Sequence, residues 1–386
     1  MANAMQVATI TDYRKEFADF GDAIYMNVSY QGPLPLVAVR AAEEALRWKM
    51  LPFHIPDGAH FDLPDRVREK IARMIGARAD DVAITTGASA GAACVAAGID
   101  WQPGDEVLIG QREFPVHYAS WLAYEAAGKL KMRVISPAGR FITADDYIRE
   151  IGPRTRIVSA SLVRFDDGAR LDAARVAEAC HAVGAMLLLD ASQCTGAMPM
   201  TVAELGADFI VCSGYKWLLG PYGTGFFWVS PEAGERLKIG PVNYQALEGA
   251  RNFAGLPATN LRTVPGARRR DAAETANFTN LAALDASLDL VLGVGVEAVA
   301  QHNHSLVKQI IERLPGSRCA LASPAERERR GPYVCIAGGD ANETKALWER
   351  LRENRVFVSL REGSIRIAPY LYNTSEQTSR LMDLLS

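Results

Sequence analysis

The chain has 386 residues, 49% of them hydrophobic, and its 42 Lys and Arg face 45 Asp and Glu for a net charge of −3. That apolar content excludes disorder as a whole-chain state, and the length predicts one large domain with a smaller companion. The near-neutral balance argues against nucleic acid or an anionic membrane as the main partner, since both recruit an excess of Lys and Arg. Cys94, Cys180, Cys194, Cys212, Cys319 and Cys335 form no C-x-x-C pair and no zinc-binding pattern, so buried, reduced thiols in a cytoplasmic protein are expected. The first residues lack the apolar core of a secretory leader. Residues 88–99, the longest bland stretch, are too short and too rich in Ala and Gly to span a bilayer.

Residues 33–48 carry apolar side chains at a spacing of three to four and predict a helix. Residues 50–62, with Pro52, His54, Pro56, Gly58 and His60, predict a loop. A second helix is expected over 64–75, stopped by Gly76. Short apolar runs then alternate with helical stretches. The runs are 82–85, 106–109, 131–135, 156–159, 186–189, 209–212 and 225–229, and the intervening helices include 89–99, 118–127 and 172–183. Such alternation predicts an α/β fold with a mainly parallel sheet covered by helices on both faces. Ligands of these sheets bind at the carboxyl ends of the strands. After about residue 265 a long helical stretch over 271–314 leads into strands at 333–336, 356–359 and 365–367, a helix at 343–352 and a last helix. This pattern predicts a smaller α+β domain. The run E-R-E-R-R at 326–330 reads as a solvated loop.

Residues 186–229 concentrate the chemistry. One apolar run ends in Asp190, a second ends just before Ser213, and Lys216 follows between Tyr215 and Trp217. The turn G-P-Y-G-T-G occupies 220–225. Taken singly, Asp190 reads as a strand-end cap and Lys216 as a surface charge. Together, beyond two strand ends, they suit pyridoxal 5'-phosphate. A lysine in a partly desolvated setting has a lowered pKa, and its neutral amine can form a Schiff base with an aldehyde. A carboxylate on the neighbouring strand can pair with the pyridine nitrogen and keep it protonated.

The stretch resembles the class V aminotransferases, a branch of the fold type I pyridoxal-phosphate enzymes that includes cysteine desulfurases, kynureninases and isopenicillin N epimerase-like proteins. The resemblance rests on Asp190, Gln193, Ser213, Lys216 and the Gly-rich turn, and it extends from about Tyr25 to the end. One position departs from the pattern: the common His before the lysine is Tyr215 here, whose phenol can still donate to phosphate. The resemblance implies that Ala88 and Ser89, at the start of a helix, hold the cofactor phosphate together with Ser213 and Tyr215. It further implies that Phe114 stacks on the pyridine ring, that Gln193 bonds the cofactor's phenolic oxygen, and that Arg366 captures the substrate α-carboxylate through its planar fork. Residues 27–33 (N-V-S-Y-Q-G-P) and 163–168 (V-R-F-D-D-G) would line the same pocket. Thr275, and less directly Arg270, resemble a loop that reaches the neighbouring subunit's phosphate in a homodimer. The implied domains are residues 31–264, which bind the cofactor, and 265–386, the smaller unit, with residues 1–30 joining the smaller one.

The implied activity is conversion of an α-amino acid through a Schiff base with pyridoxal phosphate. An aminotransferase is the default, and a β-lyase (a C–S lyase or kynureninase-like) or an amino-acid epimerase is the alternative. A cysteine desulfurase carries a mobile cysteine shortly before its carboxylate-binding Arg. The segment 360–365 is short and has none, which disfavours that route. Cys194 and Cys212 lie next to Gln193 and Ser213, but adjacent strand residues point oppositely, so they read as packing. Arg164, Arg170, Arg251 and Arg262 are candidate cations for a second carboxylate. Residues 50–62 and 240–262 are expected to shape the entrance. A non-catalytic relative would have lost the lysine or the aspartate, and the Gly-rich turn matches no nucleotide-binding fingerprint.

Overall fold

The computed structural model describes residues 10–238, 240, 242–252, 255 and 261–386. The short strand β1 (Ile24–Tyr25) and the helices α1 (Leu36–Met50) and α2 (Ala59–Ile75) precede the main sheet. That sheet is then built through β2 (Val82–Thr85), α3 (Ala88–Gly98), β3 (Glu106–Gly110), α4 (Val116–Ala126), β4 (Lys131–Ile135), α5 (Ala144–Glu150) and β5 (Thr155–Ser161). It is completed through α6 (Ala173–Ala182), β6 (Met186–Asp190), α7 (Val202–Leu205), β7 (Phe209–Ser213), β8 (Gly225–Val229) and α8 (Pro231–Arg236). The seven strands lie in the order β2-β8-β7-β6-β5-β3-β4. Strands β3 to β7 are parallel, whereas β8 runs antiparallel between β7 and β2. The expected α/β architecture with a mainly parallel sheet is therefore present.

The strands read as unbroken apolar runs because helices bury both faces, with one core on each side of the sheet. The edge strand β4 is the exception. It alternates Lys131 and Arg133 with Met132 and Val134 and is largely exposed, and charge on an edge resists pairing with another chain.

Several expectations need correction. Helix α2 begins at Ala59 rather than near residue 64, so His60 belongs to a helix and Pro64 lies inside it. Proline deprives the His60 carbonyl of its helical donor, and the Gln245 side chain supplies a replacement at 3.0 Å. The stretch 271–314 is not one helix. It splits into α9 (Phe278–Val294) and α10 (Val296–Arg313) at Gly295, whose φ of 87° leaves the helical region. Helix α9 packs on α1 and α2, and Leu281, Leu284 and Leu288 share a core with Val67 and Ile71. Finally, Arg330 of the charged run is buried and donates to the carbonyls of Pro324 and Ala325, because the chain curls back over it.

The remaining elements are β9 (Ala320–Leu321), β10 (Val334–Ala337), α11 (Ala341–Glu353), β11 (Val356–Phe357), β12 (Ser359–Arg361), β13 (Ser364–Ile367) and α12 (Ser375–Asp383). Strands β12-β13-β10-β9 form an antiparallel sheet over its own core. The single strand expected over 356–359 is two: β11 pairs in parallel with β1, and β12 turns into the four-stranded sheet. No helix among the described residues is long and apolar enough to cross a membrane.

A buried ion pair ties these layers together next to β2. Arg68 of α2 donates to both carboxylate oxygens of Asp271, at 3.1 and 2.7 Å, and to the carbonyl of Val82, while Asp271 also accepts from the Ile84 N–H at 2.8 Å. Asp271→Ala leaves the buried guanidinium with only the longer contact to Asp65 at 3.6 Å, and we expect urea unfolding to report a loss of about 3 kcal/mol.

Candidate active site

The carboxyl ends of β6 and β7 bring Asp190, Ser213 and Lys216 together, as expected from their positions just past two neighbouring strands. Asp190 is buried. One of its oxygens accepts from the Ser192 N–H at 2.8 Å, and the other has no partner among the described residues. Ser192 in turn accepts from the Ser213 N–H at 2.8 Å, which fixes the two strand ends against each other.

Lys216 is 7% exposed and has no hydrogen-bond or ion-pair partner among the described residues. Its Nζ lies 5.4 Å from the Phe114 ring centroid and 5.6 Å from that of Tyr215. Burial lowers its pKa below the ordinary lysine value. Asp190 opposes the shift, and Arg366 and Arg361 add to it. The neighbouring Trp217 carbonyl is held by the Tyr370 hydroxyl at 2.9 Å, so the segment after β13 positions the lysine. The segment 27–33 closes over the same backbone. The Gly32 N–H donates to the Tyr215 carbonyl at 2.8 Å, and a Cβ at Gly32 would overlap the Lys216 carbonyl oxygen. Only glycine permits that approach.

An anion cradle forms beside this group. Helix α3 starts at Ala88 after Gly87, and the Ala88 N–H donates to the Ser213 hydroxyl at 3.2 Å. Ser89, the second residue of the helix, is exposed. Gly225 at the start of β8 pairs with both Thr85 and Ser213, and a Cβ there would sit 2.6 Å from the Gly87 Cα. Tyr215 packs on Tyr222 with centroids 4.7 Å apart. Ala88 and Ser213 thus meet at one helix N-terminus, with Tyr215 two residues beyond Ser213, and the dipole of such a terminus favours an anion.

Phe114 is 39% exposed and meets Phe165 edge-on at 5.4 Å. Gln193 is committed within the protein: its amide nitrogen donates to the Ser29 carbonyl at 3.0 Å, and its oxygen accepts from the Trp217 indole at 3.1 Å. The second amide hydrogen stays available. Thr275 is buried and donates to the Ala272 carbonyl at 2.5 Å, and Arg270 is tied to the carbonyls of Lys238, Gly234 and Leu237.

Arg366 is 2% exposed, yet it forms no ion pair among the described residues. It donates once, to the Phe165 carbonyl at 2.9 Å, its Nε has no partner, and its guanidinium lies 5.7 Å from the Tyr333 ring centroid. Burial lowers its pKa below the ordinary arginine value. A structural ion pair, the ordinary reading of a strand arginine, is therefore not what holds it.

The other cations do not converge here. Arg164 is bound by Glu113 at 3.3 Å and Asp166 at 3.3 Å, and Arg251 by Asp62 and Asp65. Arg170 lines a separate cavity of about 300 Å³ with His304 and Arg327, and Arg262 is exposed. Of the residues expected at the entrance, 239, 241, 253, 254 and 256–260 lie outside the described residues. The His54 ring packs on Phe53, and the His60 ring packs on Phe278.

A buried polar network beneath Phe114 has no local signature in the sequence. Glu113 accepts from the Ser161 N–H at 3.0 Å and the Ser161 hydroxyl at 2.6 Å, and His117 sits between Ser159 at 2.8 Å and Ser161 at 3.2 Å. Ser161 pairs with Asp190 across the sheet, so this network braces the strand beside the carboxylate. The S-A-S alternation at the end of β5 is its only trace in the sequence.

The lowered Lys216 pKa has a consequence for the ligand-free protein. The unfolded chain keeps that proton up to the ordinary lysine value, while the folded chain releases it earlier, so stability rises with pH between the two values. Lys216→Met removes this slope. Thermal melts at neutral and mildly alkaline pH are expected to show a smaller gain with pH for the variant than for the wild-type protein.

The matching family is "Aminotransferase class-V", over residues 59–381. Isopenicillin N epimerase of Streptomyces clavuligerus is 28% identical over 83% of each chain, and a probable cysteine desulfurase of Methanothermobacter thermautotrophicus is 26% identical over 80% of this chain and 77% of that one. Among solved structures, a C-DES variant with glycine covalently linked to its pyridoxal-phosphate cofactor superposes with a TM-score of 0.84, covering 96% of this chain and 98% of that chain at 22% identity. The pocket fits pyridoxal phosphate on its own chemistry. It offers a buried amine without a partner, a carboxylate with one open oxygen, an aromatic face and a helix N-terminus for the phosphate. This chain belongs to the class V aminotransferase family of pyridoxal-phosphate-dependent enzymes.

Proposed function

We propose that the protein is an aminotransferase that moves the amino group of an α-amino acid. The observation that carries this reading is the pair of buried basic groups, Lys216 with Asp190 in electrostatic reach and Arg366, neither of which forms an ion pair among the described residues. Pyridoxal phosphate would be tied to Lys216, with its phosphate on Ala88, Ser89, Ser213 and Tyr215, its ring against Phe114, and Gln193 donating to its phenolic oxygen. When bound, it supplies an electron sink that makes the α-proton of the substrate acidic.

The chain's own groups do the rest. Arg366 holds the α-carboxylate and so presents the substrate Cα toward Lys216. Burial favours the neutral form of the Lys216 amine, which would let it take the proton from the substrate Cα and carry it along the same face. Asp190, held by Ser192, would pair with the ring nitrogen of the bound group. Phe114 would offer its ring to one face of it.

Transamination needs one base on one face, and Lys216 supplies it. The route of a cysteine desulfurase needs a thiol on a mobile segment before Arg366. Here β12 and β13 are joined by Glu362 and Gly363 alone, and no cysteine is present there. Cys194 and Cys212 are buried, and burial raises both thiols, Cys212 to about 12, which suits packing rather than attack. The reading includes a cytoplasmic homodimer in which Thr275 serves the neighbouring subunit's phosphate, and the division into residues 31–264 and 265–386 with 1–30 joining the smaller unit. All six cysteines are unpaired, consistent with a reducing compartment.

Borohydride reduction of the purified yellow protein followed by peptide mapping is expected to place the cofactor adduct on Lys216. Incubation with amino acids is expected to convert the bound cofactor to its amine form with release of the matching keto acid. Lys216→Ala is expected to lower that rate by about 10²–10⁴-fold or more. Arg366→Lys is expected to lower kcat/KM on the order of a hundredfold, mostly through KM, because the bidentate fork is lost. Loss of a β-substituent or racemisation of the amino acid, with no keto acid formed by transfer, would replace this reading with a lyase or an epimerase.

A further inference from the structure

Arg361 is a cation of the pocket that the proposed mechanism does not use. It ends β12, and the turn to β13 consists of Glu362 (φ 45°) and Gly363 (φ 75°). Two consecutive left-handed residues form the tight hairpin turn whose twist matches its strands, so Arg361 rides on a rigid ladder. The register pairs Ser359 with Arg366, Leu360 with Ile365 and Arg361 with Ser364. Leu360 and Ile365 face the core of the small sheet. Strand side chains alternate, so Arg361 and Arg366 share the opposite face. They are diagonal neighbours there, about 7–8 Å apart along the sheet, within reach of long side chains. The charge on Arg361 also lowers the pKa of both Lys216 and Arg366, which puts it within electrostatic reach of the reacting centre.

Arg361 also lacks an anion. It is half-buried and forms no ion pair among the described residues. Its one hydrogen bond goes to the Leu360 carbonyl at 2.9 Å, and its guanidinium lies 5.7 Å from the ring centroid of Tyr30, a residue 52% exposed at the surface. Lys216 thus has Asp190, and Arg366 has Asp166, as a carboxylate within electrostatic reach, whereas Arg361 stands beside Arg366 with no ion pair among the described residues. An α-carboxylate on Arg366 leaves Arg361 uncompensated, and a second anionic group would match it.

We infer that the substrate is an α-amino acid with a second anionic group, its α-carboxylate on Arg366 and its distal carboxylate on Arg361, at the mouth of the pocket beside Tyr30. The inference rests on the proposed function and narrows its substrate class.

The test titrates the absorbance of the cofactor in the holoenzyme. The probes are L-aspartate, L-glutamate and L-2-aminoadipate, each against a neutral counterpart: L-asparagine, L-glutamine and L-norleucine. At least one acid is expected to half-saturate at a concentration about tenfold or more below its counterpart. That acid preference is expected to vanish in R361M and to survive partly in R361K. Should R361M not fold, R361Q serves in its place, and the preference is expected to shrink as salt is raised. Two results overturn the inference alone: spectral changes with neutral amino acids but no acid preference, or a preference that persists without the Arg361 charge. No response to any amino acid, with no borohydride adduct on Lys216, overturns the proposed function and this inference with it.

Discussion

Placing positive charge in a dry pocket is the constraint around which this molecule is arranged. Lys216 and Arg366 are each almost fully buried, and Arg361 lies close enough to disfavour the charge on both. Such groups are costly without partners, and the protein offers them no ion pair among the described residues, only the more distant carboxylates Asp190 for Lys216 and Asp166 for Arg366. The imbalance makes chemical sense if the missing charges arrive with the ligands: a phosphate at the helix terminus and carboxylates from the substrate. Folding thus leaves these basic groups without ion pairs, and anionic ligands would relieve that cost.

The fold meets this constraint by drawing on distant segments. The parallel strands β6 and β7 deliver Asp190 and Lys216, and β8 returns antiparallel to bring Gly225 against Gly87. The segment through Gly32 closes over the lysine backbone, and Tyr370 pins the next residue from the far side. Beneath the floor, Glu113, Ser161 and His117 satisfy one another, so the strand beside Asp190 is held by a fully buried network rather than by solvent.

Six of the seven strands of the main sheet were legible because burial on both faces writes them as unbroken apolar runs bounded by turn residues, while β4 at the edge alternates basic and apolar residues. Asp190, Lys216, Ser213 and Arg366 were legible for the same reason: each is a polar residue at the edge of, or alternating within, an apolar strand. What escaped depended on long-range partners. Pro64 reads locally as a helix start, and only Gln245, far along the chain, lets the helix begin earlier by satisfying the His60 carbonyl. The break at Gly295 is one residue in an otherwise helical pattern. The place of Arg361 beside Arg366 depends on a hairpin register that no periodicity reveals, and the unpaired state of Arg366 depends on what is absent around it.

The insertion of β8 between β2 and β7 bears on how the protein is made. The phosphate cradle needs Gly87, Ser213 and Gly225 side by side, so it cannot exist while the ribosome has released only the first half of the sheet. Contacts of such sequence separation form late, after the chain entropy between them has been overcome. A phosphate bound at this cradle would therefore find its complete site only after residue 225 has joined the sheet.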